Sequence, residues 1–254
     1  NWFATIGVLV IMTVTGATKE FKRSQPYVKL ATIGLIWPFA YSIAYFTSID
    51  MGSGSMTTIT NYFWPVFYLI VASVFSGKRF PKRSWIVVFM ATLAVTIPTI
   101  LQGNIRIVLL PITLGLTAAL CQALFSLFSE GFKENDWLVT FVISVTTAIG
   151  ATLYVILYES FVWPDTQTLF YMAFIGVLSN GIGFWAFLKA GKVSAEENHK
   201  TLFLVLMCLT PLAQVVLLPI LGVESVSSEK WIGVVLITGA LMAYRLYPTK
   251  PAEA

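Results

Sequence analysis

The sequence predicts an all-α integral membrane protein with nine transmembrane helices, and three observations carry the prediction. Of the 254 residues, 57% are hydrophobic and only 11% are charged, against about 25% charged residues in an ordinary soluble domain. The charges are bunched, so long charge-free stretches lie between them. Those stretches are continuously apolar rather than alternating, which excludes a β-barrel. Helices remain, because a helix satisfies its own backbone groups in lipid. A soluble fold of this size could not bury so much apolar surface. Composition therefore excludes a soluble enzyme, a nucleic-acid binder and a disordered chain.

The first eight spans cover 1–18, 30–49, 51–77, 84–105, 107–129, 137–158, 166–188 and 201–223. A shorter ninth, 231–244, reaches Tyr247 when Arg245 snorkels to the interface. Nearly all have the roughly 18–20 residues needed to cross the hydrocarbon core. With the C-terminus placed in the cytoplasm, 14 of the 16 Lys and Arg residues fall on the cytoplasmic side and only Arg106 and Lys230 on the other. That positive-inside bias predicts a multi-pass protein of the cell inner (plasma) membrane with a cytoplasmic C-terminus. It also accounts for the net charge of +4 without nucleic acid. Trp2, Trp85, Trp137, Trp163 and Trp231 sit at span ends, as an interfacial belt requires. Cys121 and Cys208 lie inside spans without any metal or redox spacing, so no cofactor and no metal are implied.

An internal repeat organises the spans. Pro65 in span three and Pro211 in span eight are each followed twenty residues later by a Trp that opens the next span, Trp85 and Trp231. The connection after the first is SGKRFPKRSW and after the second GVESVSSEKW, one strongly basic and the other not. Two similar helix pairs in opposite orientations are the pattern of an inverted-topology repeat in secondary transporters. Tyr45-Phe46 matches Phe184-Trp185 in the preceding spans. The boundaries are then 1–105 and 106–254, spans two to four correspond to seven to nine, and one further helix is expected upstream of Asn1.

A transporter site is expected near the midplane, where polar groups are costly unless they serve a purpose. Span two places Trp37, Tyr41, Tyr45 and Ser48 at spacings of four, four and three, hence on one helical face. Pro38 frees a backbone carbonyl on the same helix. Span three offers Asn61 and Pro65 one turn apart, with Tyr62, Trp64 and Tyr68 close by; span five offers Gln122, Ser126 and Ser129. Span seven offers Ser179, Asn180 and Trp185, and span eight offers Thr210 and Gln214 beside Pro211. The cavity-lining candidates are Trp37, Tyr41, Tyr45, Asn61, Trp64, Gln122, Asn180, Trp185 and Gln214; the hinge candidates are Pro38, Pro65 and Pro211. A mid-membrane amide can instead join two helices, and an aromatic face can simply pack. His199, the single histidine, stands beside Glu196, Glu197 and Lys200 at the mouth of span eight. It is either part of an interfacial charge cluster or a proton-sensing gate.

The stretch AYSIAYFTSIDMGSGSMTTITNYFWPVF, residues 40–67, resembles the third and fourth helices of EamA-type transporters of the drug/metabolite transporter (DMT) superfamily. Its NYFWP, Asn61 to Pro65, is similar to the NYLWP of the YddG branch of aromatic amino acid exporters. SNGIGFWAFLKAGKVSAEENHKTLFLVLMCLTPL, residues 179–212, resembles the eighth and ninth helices of that branch, with Pro211 in the matching place. The resemblance implies ten helices in two inverted five-helix repeats around a central cavity, the first of them absent here. It also implies export or facilitated movement of amino acids, aromatic ones foremost, across the cytoplasmic membrane.

What the spans lack bears on substrate. No carboxylate lies deep in any of them, which counts against exchange of drug-like cations for protons. No Lys or Arg lies mid-span, which counts against sugar phosphates and nucleotide sugars. A small zwitterionic solute remains, bound by amides, hydroxyls and freed carbonyls between aromatic walls. An intramembrane enzyme would need paired mid-span Asp, an HExxH or a Ser with a His at depth, and the sequence has none of these. A membrane receptor or scaffold without flux is the alternative of another class.

Overall fold

A computed structural model describes residues 1–22, 26–52, 54–76, 105–129, 131–159 and 162–196, with scattered positions at 86–97 and 217–242. Among the described residues there are helices and no strands. The α-helical segments among these residues are, in order, α1 Trp2–Thr15, α2 Tyr27–Gly34, α3 Tyr41–Met51, α4 Gly54–Asn61, α5 Trp64–Ser76, α6 Ile105–Ser129, α7 Asp136–Tyr158, α8 Thr166–Phe174 and α9 Phe184–Glu196. A π-helical stretch, π1 Leu35–Ala40, joins α2 to α3, and another, π2 Ile175–Gly183, joins α8 to α9.

Among the described residues, five helical runs are long and apolar enough to cross a membrane: Tyr27–Met51, Met56–Phe75, Leu109–Ser129, Asp136–Tyr158 and Thr166–Val193. They are the spans read from the sequence as two, three, five, six and seven. Span one is the shorter apolar helix Trp2–Thr15. Most of spans four and eight, and part of span nine, lie outside the described residues.

The chain forms two compact units. The first comprises Asn1–Ala40 and Phe128–Glu196, the second Tyr41–Leu127 and Glu197–Ala254. Each unit draws on both halves of the sequence.

In the first unit, α1 packs on π2 and α7, and α2 packs on α7. Glycines permit the close approach. A Cβ at Gly176 would stand 2.8 Å from the Phe3 Cβ, and one at Gly7 would stand 2.9 Å from the Val177 side chain. Val8, Met12 and Leu138 form the buried centre of this contact. Helix α1 ends where Gly16 turns left-handed at φ 72°, its N–H bonding the Thr13 carbonyl, a conformation that glycine adopts without a Cβ clash.

Two of the membrane runs are interrupted by π-helical stretches, for different reasons. At π1 the cause is Pro38, which has no N–H for the carbonyl of Gly34 four residues earlier. Trp37 takes an extended conformation (φ −142°, ψ 127°), and the Thr147 hydroxyl on α7, which bonds the Ile143 carbonyl at 2.8 Å, also lies 3.3 Å from the Gly34 carbonyl. At π2 no proline is present. The sequence IGVLSNGIG carries three weak helix formers, Gly176, Gly181 and Gly183, and Gly176 and Gly181 are buried against α1.

Helix α8 opens on an Asp165 N-cap, whose side chain accepts from the Thr168 N–H at 2.7 Å. Hydrogen bonds from the Thr168 backbone and side chain hold the Asp165 carboxyl below the usual carboxylate range. With the folded value depressed, the cap is complete above the ordinary Asp value of about 3.9. It is lost as pH falls through the lowered one. Hydrogen exchange at the Thr168 amide, corrected for its intrinsic pH dependence, is expected to show constant protection down to about pH 4 and a decline below. Asp165→Ala should lack this step, and a loss already near neutral pH would contradict the cap.

The second unit is held by small and hydroxylated residues. Ser48 on α3 donates to the Pro111 carbonyl on α6 at 2.7 Å and lies 2.8 Å from the Thr57 hydroxyl on α4. Ser48, Thr57, Thr58 and Thr60 are all buried. Beside them Met56, Ile59, Tyr62, Ile112 and Val234 make an apolar cluster.

Candidate functional site

The second unit contains a polar cluster at a break in a membrane helix. Helix α4 stops at Asn61 and α5 starts at Trp64. The reason is local: Pro65 has no N–H to give the Asn61 main-chain carbonyl four residues back. The ladder holds on either side, with Tyr62 N–H on the Thr58 carbonyl at 3.0 Å and Phe67 N–H on the Phe63 carbonyl at 3.0 Å. Between them Phe63 N–H makes a tighter bond to Thr60 at 3.1 Å.

The Asn61 amide faces α3. Its Nδ2 donates to the Tyr41 hydroxyl at 3.2 Å. Tyr41 stacks on Tyr45, with ring centroids 5.5 Å apart and planes 13° apart, and the Tyr45 hydroxyl lies 3.5 Å from that of Thr58. The other end of the Asn61 amide, Oδ1, is sheltered from solvent and has no hydrogen-bond partner. A buried acceptor left unmade costs about 1–3 kcal/mol, and the usual explanation is a group that arrives from elsewhere. Tyr41, Tyr45 and Asn61, expected from spacing to face a cavity, are thus brought together. Thr58 joins them without having been expected; it stands three residues before Asn61, where one helical turn returns to the same face.

The remaining expected residues are placed differently. Trp64 is buried at the start of α5. Gln122, on α6 in the same unit, is half-buried, and its main-chain carbonyl accepts from the Ser126 hydroxyl at 2.9 Å. In the first unit Trp37 packs on Phe184, with centroids 5.0 Å apart, which sets π1 beside the start of α9. Asn180 is exposed on π2. Pro38 and Pro65 both stand at helix breaks. Pro211, Gln214 and His199 lie outside the described residues.

Trp185 lies at the end of the first unit that carries Lys133, Lys189 and Lys192. It stacks on Trp137 at 4.5 Å with planes 9° apart, and the Lys189 ammonium stands 5.1 Å from its ring. Lys192 Nζ lies 2.5 Å from Asp136 Oδ1, and it also donates to the Glu134 carbonyl at 2.8 Å. An open cleft of about 450 Å³ lies here. Trp185, a cavity-lining candidate from the sequence, thus lines this cleft.

With this geometry established, the chain can be compared with known proteins. Residues 1–99 match the EamA-like transporter family. The match supports a multi-pass, membrane-embedded protein and a transporter rather than an enzyme. A solved crystal structure described only as that of a protein is 18% identical and aligns with a TM-score of 0.68. The alignment covers 96% of this chain and 84% of that one. At this identity the likeness shows a shared fold alone. No curated protein matches the chain.

Proposed function

We infer that the protein is a secondary transporter of the drug/metabolite type that moves amino acids, aromatic ones foremost, across the cell inner membrane. The observation that carries this reading is the sheltered, partnerless Asn61 Oδ1 beside stacked Tyr41 and Tyr45 at a helix break. An amide oxygen and a main-chain carbonyl without a helical donor suit an α-ammonium, and the tyrosine faces suit a flat apolar side chain. The lack of mid-span acids and bases supports a solute without net charge over a drug-like cation, a sugar phosphate or a nucleotide sugar. The YddG-like NYFWP motif contains Asn61 itself.

The mechanism is alternating access between inverted repeats, flexing at Pro38, Pro65 and Pro211, with a cytoplasmic C-terminus. The interruptions π1 and π2 support the repeat, since they fall in spans two and seven, its corresponding members. Proteoliposomes preloaded with unlabelled phenylalanine are expected to accumulate labelled phenylalanine, tyrosine and tryptophan by counterflow. Saturable binding of these amino acids with no flux above empty vesicles would favour a receptor instead.

A further inference from the structure

We propose that Thr238 is a second polar contact of the solute, its hydroxyl donating to the carboxylate of the same amino acid whose ammonium donates to Asn61 Oδ1. This deepens the amino-acid reading above and rests on it. The groups gathered at the break between α4 and α5, an amide oxygen and a main-chain carbonyl, are acceptors and serve only the ammonium. The carboxylate of the same solute needs a donor once it leaves water.

Thr238 holds such a donor. It stands on span nine, which is helical at 231–236 and at 238 and 239. The residue is only 6% exposed, and its Oγ1 is sheltered from solvent without a hydrogen-bond partner. A threonine inside a helix ordinarily turns its hydroxyl back to a carbonyl one turn earlier. Other threonines of this chain do so: Thr60 bonds the Met56 carbonyl at 3.1 Å, Thr117 that of Thr113 at 2.8 Å and Thr146 that of Val142 at 2.9 Å. Val234 stands four residues before Thr238, yet the Thr238 hydroxyl makes no bond to it. The hydroxyl is left for a group that arrives from elsewhere.

Packing puts Thr238 in the same unit as Asn61. Val234, which shares a helical face with Thr238, is buried with Met56 and Ile59 of α4 and with Tyr62 at the break. On the topology proposed above, spans three and nine both run toward the cytoplasm. One turn beyond Val234, about 6 Å along the helix, therefore descends from the middle of α4 to the break between Asn61 and Trp64. A solute held between the two spans would satisfy both partnerless groups at once.

Initial counterflow rates of labelled phenylalanine in proteoliposomes, with phenethylamine as competitor, test the assignment. Phenethylamine keeps the ammonium and the ring but lacks the carboxylate. Against the wild-type protein it should compete about tenfold more weakly than unlabelled phenylalanine. Thr238→Val keeps the branched shape and removes the hydroxyl. It should raise the phenylalanine KM about tenfold and leave phenethylamine inhibition unchanged, so that the preference disappears. Thr238→Ser, which restores a hydroxyl, should restore the preference. Asn61→Leu should instead weaken both compounds, since both carry the ammonium. In detergent, Thr238→Val should unfold at a temperature no lower than wild type, because losing a hydroxyl without a partner breaks no bond. A lowered midpoint would show that the hydroxyl holds the fold, and would overturn the proposal. An unchanged phenylalanine KM, or equal weakening of phenylalanine and phenethylamine, would overturn it as well. Wild-type protein that moves no phenylalanine would remove the amino-acid reading itself and the role of Thr238 with it. Wild-type flux that Thr238→Val leaves unaffected removes Thr238 alone.

Discussion

Asn61→Leu is expected to lower phenylalanine counterflow between tenfold and a hundredfold, with little loss of stability. The size follows from chemistry. A hydrogen bond to a charged group contributes about 1.5–3 kcal/mol, and each 1.4 kcal/mol is about a factor of ten in affinity. Stability should change little, because leucine has the same number and branching of side-chain heavy atoms as asparagine and the substitution removes a buried oxygen that already lacks a partner. The loss on the protein side is the 3.2 Å bond to Tyr41, and such bonds between membrane helices contribute only about 0.6 kcal/mol on average. Tyr41→Phe, which removes the hydroxyl that orients the amide, should produce a smaller defect of about threefold to tenfold. Initial counterflow rates in proteoliposomes check both. Wild-type rates for Asn61→Leu would remove Asn61 from the solute's path.

The second large effect is structural. Gly115 on α6 faces Thr60 on α4 so closely that an added Cβ would collide with the Thr60 hydroxyl and stand 2.9 Å from its Cβ. The hydroxyl cannot easily turn away, because it is bonded to the Met56 carbonyl at 3.1 Å and the Thr57 carbonyl at 2.9 Å. A methyl group at position 115 must therefore push the helices apart, and Ser48, which bonds both Thr57 and the Pro111 carbonyl, is strained with them. Gly115→Ala is expected to cost about 1–3 kcal/mol, the usual range for overpacking a tight interior. Thr60→Ala in the same background should recover part of that. Thermal unfolding in detergent reads the difference. An alanine variant as stable as wild type would show that this contact yields freely.

These contacts also show what could be read from the residues beforehand. Spans six and seven were bounded by charges at 137–158 and 166–188, and the helical runs are Asp136–Tyr158 and Thr166–Val193. Charge-free length is a direct consequence of what lipid tolerates, so it survives folding unchanged. The Tyr41–Tyr45 stack was legible because residues four apart must share a face. The breaks at Pro38 and Pro65 were legible because proline cannot donate to the ladder wherever it packs.

Other features were not legible, and the reason is the same in each. The π2 interruption has no proline; three glycines only weaken the helix, and packing against α1 accompanies the weakness. Trp185 was among the cavity-lining candidates, but its stack on Trp137 beside Lys189 joins separate segments and has no trace in local spacing. Asn180 is exposed on π2. In a helix that is apolar all round, periodicity fixes which residues lie together but not which direction they face. Thr60 against Gly115 is likewise a contact between distant segments, invisible to local spacing.

The most direct test of the central claim is a competition measurement in one set of proteoliposomes. Counterflow of labelled phenylalanine would be challenged with excess unlabelled tryptophan, with a hexose phosphate, with a nucleotide sugar and with a lipophilic cation. Tryptophan alone is expected to suppress the flux. Suppression by a phosphorylated solute or by the cation, with tryptophan inert, would contradict that claim.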